Sequence, residues 1–376
     1  MTIAATADVH LGMTFAAYHA HRVELSEERF AALERVVATA NDRGAELLVI
    51  AGDLFHRVGV AARVVERAAA IIDRFAGAAA AVLPGNHDYL APGDRLWSAC
   101  VDAAGDRTVL LDRPGAFDLA PYDLPLILLA APCDAMHGAS HRLDWAAAYD
   151  RPGEMPVIGV AHGSIEGLTL DSEGRYFPMS RALLRSLPAD LWIVGHTHRF
   201  HDEPEVGLVV PGTPAPDGFD CPVTGSAAII TMDSMRLASA RAARPYEVNA
   251  VRTGRFVFVE TSVTLHEPEC AKTSDELRDE VLRALPDGEA FVRVTVDGLL
   301  ADEAFGRWNA ARQELLDDPR ILRVDDEGLV RLLGRVDVDR RYAGGSFAHR
   351  LLTRLVDADD RDALAEALSL MEEIEP

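Results

Sequence analysis

Five polar clusters in this sequence carry the residue types that bind metal ions and move protons. They are Asp8-Val9-His10, Gly52-Asp53, Gly85-Asn86-His87-Asp88, His162-Gly163 and Gly195-His196-Thr197-His198. Asp8 and Asp53 offer carboxylates, Asn86 a neutral oxygen, and His10, His162, His196 and His198 imidazoles. A mixed oxygen and nitrogen set suits Mn, Fe or Zn better than Ca or Mg, which prefer all-oxygen surroundings. Two divalent ions held about 3.5–4 Å apart can share a carboxylate and bring positive charge to the anionic oxygens of a phosphoester. No cluster is diagnostic alone, since Gly-Asp is common and Gly-Asn-His-Asp also reads as a turn. Their occurrence together, each directly behind an apolar run, is what points to chemistry.

Those apolar runs are the elements that must position the clusters. They are Ile3–Ala7, Leu47–Ala51, Ala79–Leu83, Leu126–Ala131, Val157–Ala161, Leu191–Val194 and Leu208–Val210. Short continuous apolar runs predict strands buried on both faces. Between several of them lie helical patterns. Residues 27–43 place Phe30, Leu33, Val37 and Ala40 on one face, with Ser26 as the expected N-cap and Gly44 as the stop. Residues 60–75 repeat the pattern. Alternation of strand and helix predicts an α/β layered domain. All five clusters then fall at strand C-termini, the rim where ligands of open α/β sheets bind.

The character changes near residue 265. A polar break is followed by a helix pattern (274–285), a strand (290–296), a helix (301–316) and a strand (321–324). This predicts a small α+β unit over 266–345, behind a first domain of 1–265. Residues 346–376 read as two short amphipathic helices, a candidate dock for a partner.

Taken together, the five clusters resemble the calcineurin-like metallophosphoesterase superfamily over roughly residues 1–265. Within it, Gly52-Asp53-Leu54-Phe55-His56, then Pro211-Gly212-Thr213-Pro214 and Gly218-Phe219, look like the SbcD-type DNA-repair nucleases. Protein Ser/Thr phosphatases instead carry Val-Asp-Arg-Gly after the Gly-Asp, which is absent here. The resemblance implies a layered fold of two β-sheets flanked by helices, with a small α+β cap. It implies one metal held by Asp8, His10, Asp53 and His198, and a second by Asp53, Asn86, His162 and His196, with Asp53 bridging. His87 would be the catalytic group that is not a ligand, Asp88 would orient it, and His56 would lie near the scissile phosphate. Mn²⁺ is the metal the resemblance favours, with Fe or Zn as alternatives. DNA would be the substrate, an SbcC-type ATPase the partner and a homodimer the working form. Two other readings are a phosphodiesterase for cyclic nucleotides or small phosphodiesters, and a scaffold subunit that binds metal without catalysis.

Composition bounds these readings. The chain has 376 residues and a formal charge of −23, from 37 basic and 60 acidic groups. Polyanion binders usually show basic surface, so indiscriminate coating of DNA is not expected, although metal ions can supply local positive charge. The four cysteines show no CxxC spacing, which argues against a zinc ribbon or a disulfide framework. No run approaches the ~20 apolar residues of a membrane span, and the first residues lack a signal-peptide pattern. A cytoplasmic protein with no membrane segment is the expectation.

Overall fold

A computed structural model describes the chain except residues 19, 94, 154, 233–245, 268–271, 286–288 and 375–376. It divides into two compact units, residues 1–257 and 258–376.

The first unit holds two six-stranded sheets. One is built from β1 (Thr2–Thr6), β2 (Leu47–Ala51), β3 (Ala79–Leu83), β4 (Thr108–Leu110), β11 (Ser226–Met232) and β12 (Tyr246–Arg252), in the order β12-β11-β1-β2-β3-β4. The other holds β5 (Gly115–Asp118), β6 (Ile127–Ala131), β7 (Val157–His162), β8 (Leu191–Gly195), β9 (His201–Glu203) and β10 (Leu208–Val210), in the order β5-β6-β7-β8-β10-β9. β1, β2 and β3 run parallel as neighbours, with Ile3 opposite Leu47 and Leu47 opposite Ala79. β7 and β8 are likewise parallel, with His162 opposite Gly195.

The apolar runs are continuous because each sheet is covered twice. Ile3, Ala5, Leu47, Val49, Ala79 and Ala81 of the first sheet meet Leu128, Ile158, Val160, Leu191 and Ile193 of the second in one core. The alternate residues, Ala4, Leu48, Ile50, Ala80 and Val82, pack outward with Phe30, Leu33 and Val37 of α1 (Arg22–Asp42) and with Val65, Ala68 and Ile72 of α2 (Ala62–Ile72). On the second sheet, Leu129, Val157, Trp192 and Val194 form the outer core with Leu184 of the short helix Arg181–Ser186. The expected architecture of two parallel-rich sheets flanked by helices is what the chain adopts.

One local expectation fails. The first helix starts at Arg22, with His21 rather than Ser26 at its N-cap. Ser26 lies within the helix and turns its hydroxyl to the Met13 carbonyl at 2.9 Å.

The second unit contains a four-stranded sheet. β14 (Ala290–Ala301) lies beside β13 (Val257–Glu267), and pairs in parallel with β15 (Ile321–Asp325) along its first half and β16 (Leu329–Leu332) along its second. Its helices Ser274–Arg283 and Asp302–Leu316 bury Leu277, Val281, Ala304, Trp308, Ala311 and Leu315. The strand Val257–Glu267 runs into this sheet, so the compact unit begins about a strand earlier than the composition change at 265 suggests. Residues 347–357 and 361–374 form two helices, and Leu352, Leu364 and Leu368 pack with Leu333 and Val338. Phe347 remains 72% exposed. Among the described residues, no helix is long and apolar enough to cross a membrane.

Candidate metal centre

The C-terminal ends of β1, β2, β3, β7 and β8 bring all five clusters to one place. Asp8 and Asp53 follow β1 and β2, Asn86 and His87 follow β3, His162 ends β7, and His196 and His198 follow β8. The loops are cross-tied: the Asp8 amide donates to the Gly52 carbonyl at 3.1 Å, and the His10 amide to the Asp53 carbonyl at 2.9 Å. The His196 amide donates to both carboxylate oxygens of Asp8 at 3.1 Å. The His87 amide donates to Asp53 Oδ1 at 2.8 Å.

The backbone here is strained. Asp8, His10, Asp53 and His196 all lie at positive φ (56°, 50°, 54° and 95°). Such conformations cost on the order of 1–3 kcal/mol each in non-glycine residues and persist where the surroundings over-determine them, as at functional sites. Gly85 is required for a different reason. A Cβ there would sit 2.2 Å from Asp53 Oδ1, inside the carboxylate it helps to seat.

The donor atoms converge. His162 Nε2 lies 3.0 Å from Asn86 Oδ1, 3.3 Å from Asp53 Oδ2 and 3.9 Å from Asp8 Oδ1. His196 Nδ1 is 3.2 Å from the same Asn86 oxygen. His10 Nε2 is 3.8 Å from Asp53 Oδ2, and His198 Nε2 is 4.0 Å from Asp8 Oδ1. Asp8, His10 and His198 form one group with metal-binding spacing, and Asp8, Asp53 and His162 another. Asp53 Oδ2 faces donors from both.

Electrostatics reflects two buried carboxylates. Burial alone would raise Asp53, but His162 beside it holds its carboxyl far below the usual range. Conversely, burial would lower His162, yet the Asp53 carboxylate lifts it to about 9. Burial, reinforced by the positive charge of His162, pushes His196 down to about 3. Burial lowers His10 as well. Of these three imidazoles only His162 is shifted toward its charged form, by the Asp53 carboxylate beside it.

These features fit a pair of divalent cations. Donors at right angles around an ion, each at about 2.1 Å, lie about 3 Å apart, close to the separations around Asn86 and His162. His10 Nδ1 is buried with no hydrogen-bond partner among the described residues. The oxygen and imidazole donors match borderline transition metals, with no cysteine in the group.

Residues 1–200 match the family model of the calcineurin-like phosphoesterases. The chain belongs to that family. Calcineurin-like phosphoesterases hydrolyse phosphoesters with metal ions, typically as a dinuclear pair, and the Asp and His groups on this rim could hold such ions. Among solved structures, the chain is similar to TT1561 of Thermus thermophilus, at 15% identity and a TM-score of 0.41, covering 67% of this chain and 98% of that one. It is also similar to the calcineurin-like phosphoesterase YfkN from Bacillus subtilis, at 13% identity and a TM-score of 0.38, covering 67% and 90%. No curated protein matches.

Within this calcineurin-like rim, His87 and His56 stand beside the donors without joining the carboxylates. Their rings stack with centroids 5.5 Å apart, and the His87 ring lies 4.7 Å from that of His10. His87 Nδ1 is 3.0 Å from the His56 carbonyl. A carbonyl only accepts, so Nδ1 carries the proton and Nε2 is left for other work. The expected role of Asp88 needs correction. Its carboxylate accepts from the Phe55 amide at 2.9 Å and the Gly85 amide at 2.7 Å, and among the described residues no hydrogen bond joins it to the His87 ring. Burial and the negative charge of Asp53 push it up to about 8. Asp88 therefore ties the β2 loop to the β3 loop, and the His56 carbonyl orients His87.

Sequence reasoning missed several residues around the centre. Tyr176 places its ring 5.0 Å from His196 and 5.2 Å from His137. Arg29, Thr213 and Asp217 lie behind the donors. Thr213 falls in the Pro211-Gly212-Thr213-Pro214 segment, which gave it no role of its own; no motif marks Tyr176, Arg29 or Asp217, and their residue types are ordinary on helices and loops.

Proposed function

We propose that this chain is a dinuclear-metal phosphodiesterase that cleaves DNA, of the SbcD type, with Mn²⁺ as the working metal. The observation that carries the reading is the convergence of Asp8, His10, Asp53, Asn86, His162, His196 and His198 on one rim, with His87 and His56 beside them. The DNA specificity rests on the sequence resemblance of residues 52–56 and 211–219 to SbcD-type nucleases. An SbcC-type ATPase partner and a homodimer follow from the same resemblance.

Asp8, His10, Asp53 and His198 would hold one ion, and Asp53, Asn86, His162 and His196 the other. The ions supply Lewis acidity and positive charge against the phosphodiester oxygens as charge develops in the transition state. The protein's own part is positional. The His196 amide orients the Asp8 carboxylate, and the His87 amide fixes that of Asp53. His162 is held in place by its Nδ1 bond to the Ala51 carbonyl at 2.9 Å. His87, with its Nδ1–H donated to the His56 carbonyl, would present Nε2 to the leaving oxygen; as the imidazolium, protonated on both nitrogens, it would pass the Nε2 proton to that oxygen and be left as the neutral Nδ1–H tautomer. General acid–base catalysis of this kind contributes about 10²- to 10⁴-fold.

The test is a Mn²⁺-supplemented assay on single-stranded, duplex and hairpin DNA, with bis(p-nitrophenyl) phosphate alongside. Cleavage of DNA is expected, with turnover of His87→Ala lower by about 10²- to 10⁴-fold and its metal content unchanged. Loss of metal in that variant would make His87 a ligand instead. Hydrolysis of the small ester with every DNA substrate left intact would favour a small-phosphodiester enzyme.

A further inference from the structure

From the contacts behind the donors, we infer that Arg29 and Asp217 form a brace that sets one of the two metal positions, the one bounded by Asp8, His10 and His198. The inference rests on reading the cluster as a metal centre. Arg29 comes from α1, an element that contributes no donor, and its side chain is 1% exposed. One terminal nitrogen donates to the Val9 carbonyl at 3.0 Å and lies 3.4 Å from the Asp8 carbonyl and 3.5 Å from Thr213 Oγ1. The other lies 3.2 Å from Asp217 Oδ2. Asp217 Oδ1 in turn lies 3.5 Å from His198 Nδ1, an ion-pair distance just short of a hydrogen bond that a metal-bound imidazole would close.

One guanidinium thus touches both sides of the same position. Through the carbonyls of Asp8 and Val9 it holds the loop that carries Asp8 and His10, whose left-handed backbone would otherwise relax. Thr213 reinforces that grip, its hydroxyl lying 2.8 Å from the Asp8 carbonyl. Through Asp217 it orients His198. With Nδ1 facing the carboxylate, His198 turns Nε2 toward Asp8, which is the nitrogen a cation between them would need. A carboxylate behind an imidazole fixes its tautomer and ring plane and increases its basicity as a ligand. A fully buried arginine is costly unless it is paired, so its seat beside Asp217 and the Asp8–Val9 backbone is a built feature. The other position is held differently, by the Ala51 carbonyl behind His162 and by Asn86 between His162 and His196.

Arg29 and Asp217 are positioning residues, so the test separates the two metal positions. Metal-free wild-type protein, Asp217→Asn and the double variant Arg29→Met with Asp217→Leu are titrated with Mn²⁺ by calorimetry and followed by electron paramagnetic resonance. The double variant leaves no buried charge unpaired if the single variant folds poorly. Thermal melting of each metal-free protein checks folding. Wild type should take up two equivalents and show an exchange-coupled signal. The variants should keep one tight equivalent and lose affinity for the other by about 10- to 100-fold, with the coupled signal giving way to that of isolated Mn²⁺. Two equivalents at wild-type affinity in the folded double variant would overturn the brace while leaving the metal centre standing. Equal weakening of both equivalents would overturn it in favour of a general structural role. A wild-type protein that binds no Mn²⁺ would overturn both readings at once.

Discussion

Asp53→Asn is expected to lower metal-dependent hydrolysis of bis(p-nitrophenyl) phosphate by on the order of 10³-fold or more, since removing even one preorganised group that stabilises transition-state charge costs 10²- to 10³-fold. Asp53 is singled out because it faces both sets of donors, with Oδ2 3.3 Å from His162 Nε2 and 3.8 Å from His10 Nε2. The substitution is almost isosteric. Asparagine tolerates the left-handed region better than most residues, so φ at +54° need not change. Its amide oxygen can still accept from the His87 amide. What disappears is one buried negative charge. The metal-free variant should melt below wild type, because the buried Asp53–His162 pair is broken, while its metal content falls at both positions. The fall of His162 from its elevated value is a second readout, because the Asp53 carboxylate is what raises it. A variant that keeps near-wild-type Mn²⁺-dependent turnover would rule out a bridging role for Asp53.

Gly195→Ala should be among the most damaging single methyl additions in the first unit, and the one that strikes the metal centre from between the sheets. Gly195 ends β8, and its φ is not positive, so the effect is one of space alone. A Cβ at that position would lie 2.0 Å from the Ala51 carbonyl oxygen, 2.8 Å from the Ala7 Cβ and 2.8 Å from His162 Nδ1. None of these can yield cheaply. The first two belong to strand ends of the opposite sheet, and the third is the imidazole nitrogen bonded to that same Ala51 carbonyl. Relief requires the two sheets to part where the donors converge. Overpacking commonly costs about 1–3 kcal/mol, and a backbone clash this close belongs at or above the upper end. Denaturant unfolding of the metal-free protein measures the cost, and calorimetry with Mn²⁺ should find both affinities weakened. Gly44→Ala is the control. Gly44 has φ +60° with nothing within 4 Å of the added Cβ, so only the backbone penalty of about 1–2 kcal/mol applies and metal binding should be untouched. Equal behaviour of the two variants would mean that the sheets do not meet tightly at Gly195.

The contrast between these glycines shows how far the sequence carries. β1, β2, β3, β7 and β8 were legible because burial on both faces makes their strands continuous apolar runs, and each run ends at its polar cluster. β4, β5 and β9 were not. They have three or four residues at or near sheet edges, too short for any periodicity. The strand Tyr246–Arg252 is largely exposed and lacks the apolar signature of the buried strands. In the site, the donor types were legible and their supports were not. Asp88 sits next to His87 in sequence, so orienting its neighbour was the natural assignment, yet its carboxylate binds the amides of Phe55 and Gly85. Arg29 reads as an ordinary cation beside the apolar stripe of α1. Its seat is created by Asp217, distant in sequence, and by the carbonyls of a loop whose conformation no local pattern reveals. Pairing across the chain, not residue type, decides such positions.

The second unit carries a different lesson. The apolar stripes of residues 347–374 looked available for a partner. Leu352, Leu364 and Leu368 are instead spent on a cluster with Leu333 and Val338, while Phe347 stays outward.

Two metal ions sharing this rim can be located directly. Crystals grown with Mn²⁺, measured on both sides of the manganese absorption edge, should give two anomalous peaks about 3.5–4 Å apart. Asp53 should lie between them, with Asp8, His10 and His198 around one and Asn86, His162 and His196 around the other. A single peak, or peaks away from these seven side chains, would rule out a dinuclear centre bridged by Asp53.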